Sequence, residues 1–191
     1  MNNRKSYLLV GVAVWLLVSC AGKATRKTAD YYNSNRADIE RVLQLYDQLY
    51  KQQPFSAGFS DKSFRYYLLE VSTDSVRYIY NTEQNREHFY ATITRFQYDT
   101  AQLKELGDKL QAIKCLWLSK SSFFVDEARE TVTFLSFKSV ASSKPFVENK
   151  YYILIFLKKP INNPDINARV KKGDLIKIND LVYYMIGSGF R

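Results

Sequence analysis

The spacing of apolar residues changes near residue 115, and this change constrains the fold more than any other feature of the sequence. Before it, apolar residues recur at intervals of three and four, as they do on the buried face of a helix. After it, they recur at alternate positions, as they do in strands. The later segments are joined by short turn-forming stretches, which favour antiparallel neighbours. We therefore expect an α+β fold in which about three helices cover one face of an antiparallel meander sheet of about five to six strands.

The three helices are predicted at residues 35–53, 83–96 and 99–113. Each segment starts near a side chain that can accept hydrogen bonds from the first helical turn, and these side chains are Asn35, Thr82 and Asp99. The apolar residues of each segment fall on one face, so each helix is expected to pack against the sheet.

The strand predictions rest on alternating apolar and aromatic residues between turn-forming stretches. A hairpin is predicted from residues 64–71 and 76–81, and the FSAGFSD stretch at 55–61 before it is predicted to be a loop. The PINNPDINARVKKGD stretch at 160–174 is also predicted to be a loop. The later strands are predicted at residues 115–119, 122–126, 131–138, 150–158, 175–178 and 181–186.

The amino-terminal residues combine a short basic segment, an apolar stretch and a cysteine. Residues 2–5 read NNRK and residues 8–18 read LLVGVAVWLLV. This stretch is shorter than the roughly 20 residues that cross a bilayer, and its length is typical of the apolar region of a signal peptide. The LVSC sequence at residues 17–20 resembles the lipobox of bacterial lipoproteins.

The resemblance to lipoproteins implies a cellular location and a domain organisation. Residues 1–19 would be a signal peptide, Cys20 would receive lipid, residues 20–34 would be a flexible basic tether, and residues 35–191 would form a single α+β domain. The chain would then be attached to the cell envelope through Cys20. In the family, an Asp after the modified cysteine retains the protein at the inner membrane. This chain has Ala21 there and no acidic export signal behind it, which implies an outer-membrane position facing the periplasm.

The composition is basic, with 28 Lys and Arg residues against 19 Asp and Glu residues. Such a charge favours anionic neighbours such as lipid headgroups, cell-wall polymers or an acidic protein. Nucleic acid is not expected as a partner of an exported protein. The paired lysines at each end of the Pro- and Asn-rich segment are predicted to form one positive patch for an anionic or protein partner. These residues are Lys158, Lys159, Lys171 and Lys172.

Few residues are suited to catalysis or to metal binding. The chain has 2 Cys and 1 His, whereas a usual zinc site needs three or four such ligands, so no metal and no cofactor are predicted. His88 is expected on a helix and Cys115 at the start of a strand. Glu70 lies within an otherwise apolar strand and is expected at an edge or facing solvent.

The sequence is therefore interpreted as a non-enzymatic binding or structural module of the envelope. Two other interpretations stay open. One is a periplasmic immunity or inhibitor-type lipoprotein that plugs an enzyme or a toxin with the 160–174 segment. The other is an enzyme of an unrecognised type.

Overall fold

The computed structural model describes residues 26–61, 63–83, 85–125, 128–140 and 150–187. The chain divides into two compact units, residues 1–36 and residues 37–191. The predicted signal peptide and the predicted lipidation site Cys20 lie outside the described residues. Within those residues, no helix has the length and the apolar character needed to cross a membrane.

The described part of the first unit is helical at residues 26–34 (α1), where a flexible tether is predicted. Arg, Lys and Ala in this stretch are good helix formers, and its polar composition hides that tendency. The backbone N–H and the side-chain amide of Asn35 both donate to the Tyr31 carbonyl oxygen, at 3.1 Å and 2.8 Å. Asn35 thus bonds back to the end of α1, whereas the sequence predicts that it caps the next helix.

The described residues of the second unit form one sheet of eight antiparallel strands in the order β3-β2-β1-β4-β5-β6-β8-β7. The predicted α+β fold is confirmed, and the strand count is higher than predicted. The strands are β1 (Phe55–Phe59), β2 (Tyr67–Ser72), β3 (Arg77–Asn81), β4 (Trp117–Val125), β5 (Ala128–Val140), β6 (Lys150–Leu157), β7 (Ile176–Lys177) and β8 (Val182–Gly187).

Strand β1 joins the predicted hairpin to the rest of the sheet, and the prediction of a loop at 55–61 is wrong for this part. Its small residues resemble loop composition, but Phe55, Ala57 and Phe59 are buried. Gly58 sits so close to β4 that a side-chain carbon there would overlap the Leu116 carbonyl oxygen and the Trp117 ring. Glycine is therefore required by close packing of the two strands.

Three helices pack on one face of the sheet, which we call the helical face. They are α2 (Arg36–Gln52), α3 (Arg86–Ile93), which continues into a 3-10 turn (Thr94–Phe96), and α4 (Thr100–Ala112). The Tyr46 ring on α2 lies 5.0 Å from the Phe55 ring on β1, and the Phe89 ring on α3 lies 5.9 Å from the Tyr67 ring on β2. The periodic leucines predicted for α4 are buried, as expected: Leu103, Leu106 and Leu110.

The capping predictions are partly correct. Asp99 caps α4 by accepting from the backbone N–H groups of Ala101 and Gln102. Helix α3 is capped by Asn85, because the Thr82 hydroxyl instead accepts from the Tyr67 backbone N–H at 2.9 Å and so belongs to the β2–β3 hairpin.

The three predicted helices share one face, as expected, whereas α5 (Pro164–Lys172), which was not predicted, lies on the opposite face. Its Ile166 and Val170 pack against a cluster on β5, β6 and β8. The 160–174 segment was predicted to be a loop because of its Pro and Asn residues. These same residues start the helix, since Asn163 caps it and Pro164 occupies the first turn.

Candidate functional site

A cavity of about 470 Å³ lies on the face of the sheet opposite α2, α3 and α4, which we call the open face. Helix α5 covers one part of β5, β6 and β8. The rest of these three strands, together with β1 to β4, forms the cavity, which we call the groove. Its volume falls within the range of about 300–1,000 Å³ that is usual for small-molecule sites. The groove is therefore large enough for an organic ligand.

Serine side chains give the groove its depth and all of its small hydroxyl groups. Neighbouring strands place them on the same face by register, with Trp117 opposite Ser136 and Ser119 opposite Phe134. A small side chain between larger neighbours leaves a hollow in a sheet surface, and each hydroxyl can both donate and accept a hydrogen bond. The serines that line the groove are Ser56, Ser72, Ser119, Ser121 and Ser136.

The sheet is split where the groove crosses it. Strand β1 pairs with β2 along its whole length, but it pairs with β4 only through Ala57↔Leu118 and Gly58↔Trp117. On the Ser56 side of these pairs the two strands diverge, and the groove extends between them to side chains of the helical face. Tyr50, Phe55 and Lys120 line the groove at this split.

Lys120 closes the split from the helical side. Its ammonium group forms an ion pair with Asp47 and lies 4.8 Å and 4.5 Å from the ring centroids of Tyr46 and Tyr50. The side chain is 4% exposed. Burial lowers the pKa of Lys120 and outweighs the opposing effect of the Asp47 carboxylate. This lysine is thus held by α2 and is not extended into the groove.

One end of the groove carries an ion pair. Arg77 Nη1 on β3 lies 3.7 Å from Glu70 Oε2 on β2. The Glu70 side chain is 10% exposed, whereas the Arg77 side chain is 70% exposed. Glu70 therefore forms part of the buried wall of the groove. The prediction that it lies at an edge or faces solvent is wrong. Its charge is balanced by an arginine at the mouth.

Cys115 and His88 occupy different environments. Cys115 is fully buried, its thiol donates to the Trp117 carbonyl oxygen at 3.4 Å, and burial raises the pKa of the thiol. His88 is exposed on α3, with Nε2 at 3.4 Å from the Thr92 hydroxyl. A buried thiol with a raised pKa is a poor nucleophile. No group of three potential metal ligands occurs in the part of the chain that the structure describes.

The four lysines of the predicted patch belong to two parts of the chain. Lys158 and Lys159 follow β6, whereas Lys171 and Lys172 end α5. Lys159 pairs with Glu130 at 2.7 Å, and Lys172 pairs with Asp174 at 3.1 Å. Each pair therefore has one lysine with an acidic partner. Binding by these four residues together stays a prediction.

The groove is not evident from the sequence, although part of its signal is present. The polar residues at 119–122 were interpreted as a break between two short strands. They belong to one strand, β4, in which Ser119 and Ser121 face the groove. Small polar residues at alternate positions of a strand are the signal that could have been found. The lining residues on β1, β2 and β5 could not have been found in this way, because their position beside β4 depends on the pairing of strands that are distant in the sequence.

A second cavity of about 40 Å³ lies between β2 and the helices on the other face, beside the Tyr67 ring. It is large enough for a water molecule but not for an organic ligand. Comparison of the chain with protein-family models, with curated proteins and with solved structures finds no significant match. The groove is thus the candidate site, on its own geometry.

Proposed function

We propose that this chain is a lipid-anchored binding protein of the cell envelope and that its ligand occupies the groove on the open face. The observation that carries the proposal is the groove itself. It combines a suitable volume, hydroxyl groups and an apolar wall in one concavity, as binding sites for small molecules do. The anchor would be the lipidated Cys20, and the favoured position is the outer membrane, facing the periplasm.

The charged groups around the groove support recognition more than catalysis. Glu70 is paired with Arg77, and Lys120 is paired with Asp47 and enclosed by two rings. Charges that are already balanced hold a site in shape, whereas a general acid or base must exchange a proton with substrate. The serine hydroxyls can contact a ligand without any change of protonation.

An enzymatic function is the second candidate, and the position of Glu70 favours it. A carboxylate that lines a cleft can act as a general acid or base when it lies within hydrogen-bond reach of a bound substrate. The test compares wild type with the Glu70→Gln variant. If wild type converts the ligand to a product, and the variant binds the ligand without converting it, the enzymatic function replaces the binding function as our proposal. Whether the chain is a binding protein or an enzyme, its basic surface is expected to contact a partner protein or an anionic envelope polymer as well.

The immunity or inhibitor alternative loses the feature on which it depended. A plugging loop was expected at 160–174, and the described residues there form α5, whose apolar side packs on the sheet. A helix packed in this way can present only its polar side to a partner. It is not a loop that could enter the site of an enzyme or a toxin.

The anchor is tested by substitution of Cys20. The Cys20→Ala variant, expressed in the native host with a labelled fatty acid, is expected to lose all label, because the thiol is the predicted attachment point. Wild type and variant are compared by label per unit of protein. Equal labelling of the two would show that Cys20 is not lipidated.

The groove is tested by blocking it. In the Ser121→Trp variant an indole fills part of the groove, and the ligand that co-purifies with the chain from native envelopes is expected to decrease at least tenfold. The matched control is Ser122→Trp, because Ser122 is the next residue of β4, is equally exposed and faces the other side of the sheet. Mass spectrometry of the extracts measures the ligand. Equal decreases in both variants, or no decrease, would contradict binding in the groove.

A further inference from the structure

The two ends of the groove differ in chemistry. The strands order them, since β3, β2 and β1 form one side and β5, β6 and β8 form the other. The second side presents Phe134, Ile153 and Met185, with Ser136 at its border with β4. The first side presents mainly polar and charged groups, Ser56, Ser72, Glu70 and Arg77, with Phe55 at the split. A ligand that fills the groove therefore meets an apolar surface at one end and hydrogen-bonding groups at the other.

A ligand that contacts both ends of the groove must be elongated. Strands β2 and β8 are five strand spacings apart in the sheet order. At about 4.8 Å per spacing, the distance across the sheet is roughly 24 Å. Ser119 and Ser136 lie between the ends and continue the hydroxyl-lined floor. A compact polar molecule would reach one end only.

The charges at the groove favour an uncharged head group. The Glu70 carboxylate faces Arg77 at 3.7 Å, and the Lys120 ammonium faces Asp47. A cationic head group would have to displace Arg77 from Glu70, and an anionic head group would lie beside the Glu70 carboxylate, whose side chain is 10% exposed. Either arrangement costs free energy at a mostly buried carboxylate. An uncharged head group can bind to the serine hydroxyls and leave both pairs intact.

Trp117, one of the four aromatic residues that line the groove, does not offer a flat surface for stacking. Trp117 is 2% exposed, because its ring lies against Gly58. A head group that binds here is therefore held by hydrogen bonds rather than by stacking on an indole. Hydroxyl and amide groups fit this requirement, since they match the donor and acceptor capacity of serine.

We infer that the groove binds a single amphiphile with an apolar chain and an uncharged, hydroxyl-bearing or amide-bearing head group. The chain lies against Phe134, Ile153 and Met185, and the head group lies against the serines near Glu70 and Arg77. The inference rests on the proposed function, because it names the class of ligand for the same groove.

Dodecyl maltoside that carries a diazirine in its alkyl chain is a suitable probe. Envelope membranes that contain the full chain are irradiated with this probe below its micelle concentration, and labelled peptides are identified by mass spectrometry. We expect label on β5, β6 and β8. In the Met185→Gln variant the amount of label on these strands is expected to fall at least fivefold, because the amide places a polar group against the alkyl chain.

The matched control is Ile186→Gln, which changes the next residue of β8 on the other face of the sheet and is expected to change labelling less than twofold. Unlabelled dodecyl maltoside should compete at least tenfold better than dodecyl sulfate, which has the same chain and an anionic head group. Maltose alone should not compete.

Equal loss of label in the two glutamine variants would overturn the inference, and so would equal competition by dodecyl sulfate. If no label reaches the groove while Ser121→Trp still removes the native ligand, the class of ligand is wrong and the proposed function stands. If Ser121→Trp also has no effect, both are wrong.

Discussion

Replacement of Gly58 by alanine is expected to lower the free energy of unfolding by about 3 kcal/mol, the upper part of the range for an overpacked core site. The added carbon would overlap a backbone atom, the Leu116 carbonyl oxygen, as well as the Trp117 ring. A backbone atom cannot turn aside as a flexible side chain does. Strands β1 and β4 must therefore separate at the two residue pairs that join them. Urea denaturation followed by circular dichroism measures the change.

Gly107→Ala is the matched control for this experiment. A side-chain carbon on Gly107, in α4, would lie 3.3 Å from the Tyr67 ring, which is a tight contact with a side chain and not an overlap with backbone. Alanine also favours a helix by up to about 1 kcal/mol over glycine. The two effects oppose each other, so a change of less than about 1 kcal/mol is expected. Equal destabilisation by both variants would show that the close approach of β1 and β4 is not what Gly58 provides.

Replacement of Lys120 by alanine is expected to lower the free energy of unfolding by about 2 kcal/mol, because the variant loses a buried alkyl stem and contacts with two rings. Lys120→Met keeps most of the stem and removes the buried charge, so it is expected to recover at least half of this loss. Lys109→Met is the control. Lys109 also has an acidic partner, Asp38 at 2.7 Å, but the pair is exposed and is expected to contribute less than about 1 kcal/mol.

The burial of Lys120 also predicts that the free energy of unfolding depends on pH. Burial lowers the pKa of Lys120 in the folded chain, so between that value and the ordinary value of 10.5 the unfolded chain binds more protons. Stability contributed by this group must then rise with pH across that window. Burial of Tyr46 and partial burial of Tyr50 raise the pKa values of these tyrosines, which act in the opposite direction, so the comparison must be a difference. The difference in stability between wild type and Lys120→Met should rise with pH. A difference that is constant or falls would contradict the burial of the charge.

The elements predicted correctly from the sequence are those whose signals are local. Leucines at helical spacing and the Asp99 cap predict α4, and alternation predicts the β2–β3 hairpin. Two elements were missed because composition and structure conflict. Strand β1 consists partly of Ser, Ala and Gly, and it becomes a strand through its neighbours on both sides. Helix α5 has the Pro and Asn residues of a loop at the position where they cap and start a helix.

The groove could not be predicted because it depends on which distant segments pair. Ser56, Glu70 and Ser119 are far apart in the sequence and meet through the register of β2 with β1 and of β1 with β4. Without β1 in the sheet, Glu70 would belong to a separate hairpin, and the expectation of a solvent-facing position follows from that omission. One missed strand therefore hides the site as well as part of the fold.

Photo-crosslinking from adjacent positions of β4 tests directly whether the open face binds a ligand. A benzophenone amino acid replaces Ser121, which lines the groove, or Ser122, which faces the other side of the sheet, and the full chain is irradiated in native envelopes. We expect a defined adduct from position 121 that position 122 does not give, and that is lost when Met185→Gln is added. The same adducts from both positions, or none from position 121, would contradict a binding site in the groove.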